Sequence, residues 1–274
     1  MSVDLIGATV QLEQPIGHGK RTVGTGFLIS DPTADGRPRT ILVTANHVFD
    51  KMPGEQATIG YRIENADGTW RYAPQTITIR APGGRELWTH HGSRDVAAIA
   101  ISAPAEFAKS AIPMKWLASE DTFNNYQLGP GDEMMALGFP KGLSSNTAGF
   151  PILRSGRVAS YPLTPSTAFP TFLLDFNVFP GNSGGPVYTA RGLHRRDGAD
   201  NEAQPFVAGI LTQEVELGSQ SLQIGIVTQA RYIRETLSLL DIPPGKRPAD
   251  QPPESTNPMG VPVTATADSA AVER

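Results

Sequence analysis

The chain has 274 residues, 39% of them hydrophobic, with 28 glycines, 24 prolines and no cysteine. That length supports a well-buried core in one large or two small domains, while a net charge of −4 with both signs interspersed argues against nucleic acid or an anionic membrane surface as a partner. The lack of cysteine excludes a disulfide framework and fits a reducing compartment; residues 1–10 carry no basic segment followed by an apolar one, and no run is apolar for long enough to span a bilayer, so the expected location is cytoplasmic.

Many short apolar runs broken by glycine and proline predict an all-β architecture. Residues 5–12 alternate enough to be a first strand, and Thr22–Ser30 reads as the next, followed by a turn over Asp31–Pro38. Ile41 to Phe49 is an apolar strand that ends in His47. Residues 57–63 and 75–80 alternate at period two and are joined by a turn at Asn65–Gly68. Arg94-Asp95 then leads straight into an apolar strand ending at Ile101. Residues 103–130 read as a crossing linker, after which Asp132–Phe139 opens a second set of strands. That set continues with Arg154–Ser160, Thr171–Val178, Val187–Thr189, Phe206–Thr212 and Leu222–Thr228, with a polar insertion over Ala190–Pro205. Over residues 229–240 the spacing of Ile233, Leu237 and Leu240 predicts one helix face, packed on the second set. Residues 241–274 hold seven prolines and few large apolar groups, so a disordered tail is expected there.

The stretch Phe179-Pro180-Gly181-Asn182-Ser183-Gly184-Gly185-Pro186-Val187 organises the rest. Glycine loses the most freedom on ordering and packs nothing, so such a run suits backbone that must turn tightly and aim its N–H groups. A plain turn would use the same residues, but acyl transfer needs an exposed hydroxyl beside convergent amides. His47 is the candidate base, since an imidazole can take the serine proton and return it to the leaving amine. Asp95 is the candidate group that orients His47, and the N–H groups of Gly181 and Ser183 are the candidate oxyanion hole. His18, His90, His91 and His194 lie in polar stretches and are expected to be solvated. His90 and His91 are adjacent on a strand and face opposite ways, so no metal site is expected, and no cofactor is called for.

The segments Thr44-Ala45-Asn46-His47-Val48, Asp95-Val96-Ala97-Ala98-Ile99-Ala100-Ile101 and Pro180-Gly181-Asn182-Ser183-Gly184-Gly185-Pro186 together resemble the three motifs of trypsin-like (chymotrypsin-superfamily) serine peptidases, in that family's order. The likeness runs over roughly residues 5–240 and is nearest in pattern to bacterial Do-like peptidase domains without a PDZ domain. It implies two six-stranded antiparallel barrels, about 1–115 and about 116–228, with the C-terminal helix 229–240 completing a peptidase domain over 1–240. It also implies a serine endopeptidase with a Ser183–His47–Asp95 triad, an acyl-enzyme intermediate and a protein or peptide substrate.

Two departures from digestive trypsins bear on mechanism and specificity. Asn182 stands where zymogen-activated relatives carry Asp for an ion pair with a new N-terminus, so activity without N-terminal cleavage is expected. The family pattern puts the base of the specificity pocket at Asn177, with walls from Gly209, Ile210, Leu211 and Thr212 and from Gln223 and Gly225. A neutral base implies an uncharged residue before the scissile bond. Two other readings stay open on the same fold: a non-catalytic binding or scaffold module, and a latent peptidase switched on by a protein partner through the 190–205 loop or the tail.

Overall fold

The residues expected to open a first strand form a helix instead. In the computed structural model, which describes residues 2–33, 35–189, 205–217 and 220–242, helix α1 spans Ser2–Ala8 and strand β1 follows over Thr9–Gly17. Leu5 and Ala8, three apart, are both fully buried on one helical face. Asp4 lies in the first turn, where a carboxylate suits the helix dipole, and the Thr9 hydroxyl donates to the Leu5 carbonyl at 2.6 Å, closing the last turn.

The chain continues through β2 (Lys20–Ser30), β3 (Thr40–Thr44), α2 (Asn46–Asp50), β4 (Gln56–Glu64), β5 (Trp70–Thr78), β6 (Thr89–His90) and β7 (Ala97–Ile101). The expected linker over 103–130 holds α3 (Ala105–Ala108), β8 (Ile112–Pro113), a 3-10 turn at Met114–Trp116 and α4 (Glu120–Asn125). Helix α4 is stopped at its start by a capping box between Ser119 and Thr122. Strands β1–β8 form one eight-stranded sheet in the order β5-β4-β1-β2-β3-β7-β6, with β8 parallel to β2. The expected first six-stranded barrel is therefore an open sheet, because its outer strands β5 and β6 do not pair. Most β5 side chains are exposed, and Pro74 within it donates no backbone hydrogen bond, which suits an edge.

The second half matches the expected count. Strands β9 (Glu133–Gly138), β10 (Ile152–Val158), β11 (Thr171–Asp175), β12 (Pro186–Thr189), β13 (Val207–Leu217) and β14 (Gln220–Gln229) close a six-stranded barrel in the order β10-β11-β14-β13-β12-β9. The final helix, α5, spans Ala230–Leu239. Of its expected apolar face, Ile233 and Leu237 are buried and Leu240 is packed partly against the core. Helix α5 meets β6 and β7 as well as β13 and β14, so it bridges both halves instead of resting on the second alone.

A single apolar cluster runs through both sheets, from Phe27, Leu42 and Ile59 to Phe172, Ile210 and Leu237. Each such side chain contributes about 1.5–3 kcal/mol on full burial, so the two halves are held against each other by core packing. The expected insertion over 190–205 and the tail over 241–274 lie almost wholly outside the described residues. Among the described residues, no helix is long and apolar enough to cross a membrane.

Candidate active site

Strand β3 fixes the histidine. Ile41, Leu42 and Val43 are fully buried with β3 paired to β2 on one side and β7 on the other, so the strand is a central one with both faces covered. The chain then turns at Ala45 into α2, whose second residue is His47. Val43 pairs with Ala98 and Thr44 with Ala97, so Asp95, two residues before β7, arrives beside His47 by register alone. His47 Nδ1 lies 2.6 Å from one Asp95 carboxylate oxygen, and the His47 backbone N–H donates to the other at 2.9 Å. An ionised carboxylate only accepts, so Nδ1 carries a proton, and whenever the ring is neutral Nε2 keeps its lone pair. Burial pushes the Asp95 carboxyl up; the His47 charge, the ring hydrogen bond and the amides of His47 and Asn46 outweigh it and hold the carboxyl below its usual range. Asn46 steadies the turn: Trp88 Nε1 donates to its Oδ1 at 2.8 Å, and its Nδ2 donates to Asp50 at 2.8 Å.

The serine loop lies on the middle of β2 and the end of β3. Thr25 N–H donates to the Ser183 carbonyl at 2.9 Å, and the Thr25 hydroxyl donates to the Gly181 carbonyl at 2.6 Å while accepting the Phe139 N–H at 3.1 Å. Two glycines make this seating possible. Gly181 has φ +94° and Gly184 φ +90°; a Cβ at Gly181 would run into the Phe139 carbonyl, and one at Gly184 into the Thr25 carbonyl and the Thr44 hydroxyl.

The Pro180 carbonyl accepts the Lys141 N–H at 2.6 Å. The Pro180–Gly181 peptide is trans, so its N–H points opposite to its C=O and away from Lys141. Among the described residues, neither the Gly181 nor the Ser183 amide donates to a protein acceptor. Two donors on one tight loop are thus left without a protein acceptor. The Ser183 hydroxyl donates to the Thr212 carbonyl at 3.2 Å, and no hydrogen bond joins it to His47. The Asn182 side chain is buried at 3% exposure with neither its oxygen nor its nitrogen paired.

The positions expected around the specificity pocket separate into four groups. Thr212 touches Ser183 through its carbonyl. Leu211 meets Gly225, which pairs with Glu214 across β13–β14; a Cβ on Gly225 would also meet Phe176 and Val178, the neighbours of half-buried Asn177. Gly209 and Ile210 pair with β12, where a Cβ on Gly209 would strike the Thr228 carbonyl. Gln223 is exposed, with φ 58°.

Sequence reasoning missed Thr25, Phe176, Val178 and Lys141. Thr25 left one signal, a polar side chain between two glycines in an otherwise apolar strand. His91, expected to be solvated, is instead held: its Nε2 lies 3.1 Å from a Glu235 carboxylate oxygen on α5, and its Nδ1 accepts the Ser93 N–H at 3.2 Å. Among the described residues, no three His, Asp or Glu side chains gather as metal ligands would.

An imidazole paired to a carboxylate and a serine on a glycine-rich loop are side chains of the kinds that serine hydrolases use. The chain belongs to the trypsin-like peptidase domain family, whose description matches residues 24–193. No curated protein matches it. Among solved structures it is similar to the HtrA-type protease AlgW with a tripeptide, at 17% identity and TM-score 0.48, covering 88% of this chain and 63% of that one. The same protease with a decapeptide gives 17% identity and TM-score 0.48, covering 88% and 68%. The protease Anisep from Arthrobacter nicotinovorans gives 15% identity and TM-score 0.49, covering 84% and 93%. The chain thus spans less than two thirds of the first AlgW chain's length.

Proposed function

We propose that the chain is a serine endopeptidase in which Ser183 is the nucleophile, His47 the general base and Asp95 the group that orients it. The observation that carries this reading is the His47–Asp95 pair, which leaves Nε2 as a free acceptor, beside a serine loop with two unpaired amides. Ser183 rotates from the Thr212 carbonyl toward Nε2, gives up its proton as it attacks the peptide carbon, and the amides of Gly181 and Ser183 receive the negative charge. His47 then protonates the leaving amine, and water hydrolyses the acyl-enzyme by the reverse sequence. Each amide donor contributes on the order of 3 kcal/mol to lowering the barrier. Thr212 touches the serine through its carbonyl, and none of Asn177, Leu211, Thr212 and Gly225 carries an ionised side chain, which favours an uncharged residue before the scissile bond. A soluble peptide or protein substrate in the cytoplasm, with no cofactor, completes the reading.

Fluorophosphonate labelling of the purified chain tests it. Labelling that disappears in both Ser183→Ala and His47→Ala is the expected result; wild-type protein that stays unlabelled overturns constitutive activity.

A specific feature supports a second reading, a latent form awaiting a partner. Ser183 is bonded away from His47, and the neighbouring Asn182 amide is buried without partners, a costly arrangement that a rearranged loop would relieve. Labelling that rises on addition of cell lysate favours this form over constitutive activity. Reproducible peptide capture with no labelling under either condition favours a binding module.

A further inference from the structure

Two cations gather on one aromatic ring beside the serine loop. The Lys141 ammonium lies 5.8 Å and the Arg154 guanidinium 5.2 Å from the centroid of Phe179, four residues before Ser183. Each contact falls within cation–π range. Neither cation has a carboxylate at salt-bridge distance among the described residues. Five other arginines do have one: Arg21 with Glu13, Arg37 with Asp35, Arg39 with Asp31 and Asp241, Arg80 with Glu86, and Arg231 with Glu235. Lys141 and Arg154 differ from the other bases without an ion pair in sharing one aromatic ring on the segment that leads into the serine loop.

Both cations are also anchored. Lys141 sits in the left-handed region at φ 51°, which is uncommon for a side chain larger than glycine. Its N–H holds the Pro180 carbonyl that orients the Gly181 amide. Arg154 lies on β10 in register with Ala136 of β9, and its side chain is half-buried. The ring they share belongs to the turn in which Asn182 N–H donates to the Phe179 carbonyl at 3.0 Å. Two cations against one ring raise the local positive potential, and an anion within reach of both gains two attractions.

We infer that Lys141 and Arg154, spaced by Phe179, form a subsite for an acidic side chain of the substrate close to the scissile bond. This rests on the endopeptidase reading above and adds a charge preference to it. The uncharged preference at the Asn177 pocket is unaffected, because the acidic residue occupies a different position of the same peptide. Lys141 and Arg154 act here as specificity-determining residues and take no part in bond breaking.

The test is a set of fluorogenic peptides in which Asp or Glu replaces Asn or Gln at each of the three positions on either side of the scissile bond. At one position the acidic peptide should be cleaved about fivefold faster in kcat/KM than its neutral counterpart, the gain of a partly exposed charge pair. The advantage should shrink as salt is raised from 0.01 M to 1 M. Read in each case as the ratio of acidic to neutral rates, it should fall stepwise in Lys141→Gln and Arg154→Gln and vanish in the double variant, and Arg154→Gln alone should cleave the neutral peptide at an unchanged rate. That neutral peptide reports on folding. Neutral and acidic peptides cleaved alike at every position overturn the subsite, as does an acidic preference that the double variant retains. Failure of the endopeptidase reading itself would be separate, showing as absent Ser183 labelling and no cleavage of any peptide.

Discussion

The Thr25 hydroxyl donates to the Gly181 carbonyl at 2.6 Å, across 156 positions of sequence. Through its hydroxyl and its backbone this one residue joins the open sheet to the serine loop and to Phe139 at the end of β9. The Thr44 hydroxyl in turn donates to the Thr25 carbonyl at 2.7 Å. Thr25 therefore ties the strand that delivers His47 to the loop that carries Ser183. Thr25→Val keeps the shape but leaves the Gly181 carbonyl and the Phe139 amide unpaired, a cost of about 1–3 kcal/mol each where buried. Thr25→Val should lose thermal stability and at least tenfold in kcat, and Thr25→Ser should recover most of both. Equal defects in the two variants would show that the methyl group, not the hydroxyl, is what matters.

The two left-handed glycines of the loop separate function from folding. At Gly184 a Cβ would overlap the Thr25 carbonyl and the Thr44 hydroxyl, both built into the sheet. Gly184→Ala is expected to destabilise by about 3 kcal/mol or more, because both the backbone conformation and the space are wrong. At Gly181 the obstacles are the Phe139 carbonyl and, at 3.2 Å, the Lys141 N, both in the adjoining turn and not in the sheet, so the loop can yield by turning the Gly181 amide out of the site. Gly181→Ala should therefore fold and lose on the order of 10²–10³ in kcat, the loss of one oxyanion donor. Circular-dichroism melts beside active-site titration would distinguish the two. A Gly181→Ala protein that is unfolded, or one that is fully active, contradicts the assignment.

Asp95 gives a pH dependence with a definite sign. Its carboxyl is held below the usual range in the folded chain, so it contributes stability fully present above the unfolded value of about 4 and lost as the pH falls through the folded value. Wild type should melt higher than Asp95→Asn at pH 7, and the gap should close on acidification below pH of about 4. A gap that stays constant down to acid pH would show that the pair adds nothing through charge. At neutral pH the same variant should lose on the order of 10⁴ in kcat, since an amide facing Nδ1 no longer selects the tautomer with Nε2 free.

How much of this was legible in the sequence depends on what each feature rests on. His47, Asp95 and Ser183 stood out because each polar residue terminates or interrupts a recognisable apolar or glycine-rich run, and strand register then brings His47 and Asp95 together. The barrel strands were legible by alternation. Helix α1 was not, since seven residues give barely two turns of periodicity. The start of β5 was missed because Trp70, Arg71 and Tyr72 form no alternating apolar pattern. Failure of the first sheet to close is a property of which edges meet, and hydrophobic spacing carries no record of that. Thr25 and Lys141 act through backbone partners far away in sequence, so composition and motif give at most a hint of them.

The segment carrying Asp95 is also held from the far side, and this gives the last prediction. His91 N–H donates to the Val96 carbonyl at 2.9 Å, spanning the loop in which Asp95 lies, and its ring links that loop to Glu235 on α5. Arg231 Nε donates to the other Glu235 oxygen at 2.6 Å, and the Tyr232 ring lies edge-on to His91 with centroids 5.3 Å apart. Burial pushes the Glu235 carboxyl up, but the hydrogen bonds from Arg231 and His91 outweigh it and keep the carboxyl below its usual range. His91→Ala removes both ring hydrogen bonds and should cost about 1–2 kcal/mol of stability. If the link positions Asp95, backbone amide exchange over residues 91–96 will quicken and kcat will fall while KM holds. Glu235→Gln, which can still accept from the imidazole, should retain most of the activity. A purely structural link would lower the melting temperature in both variants and leave kcat at the wild-type value.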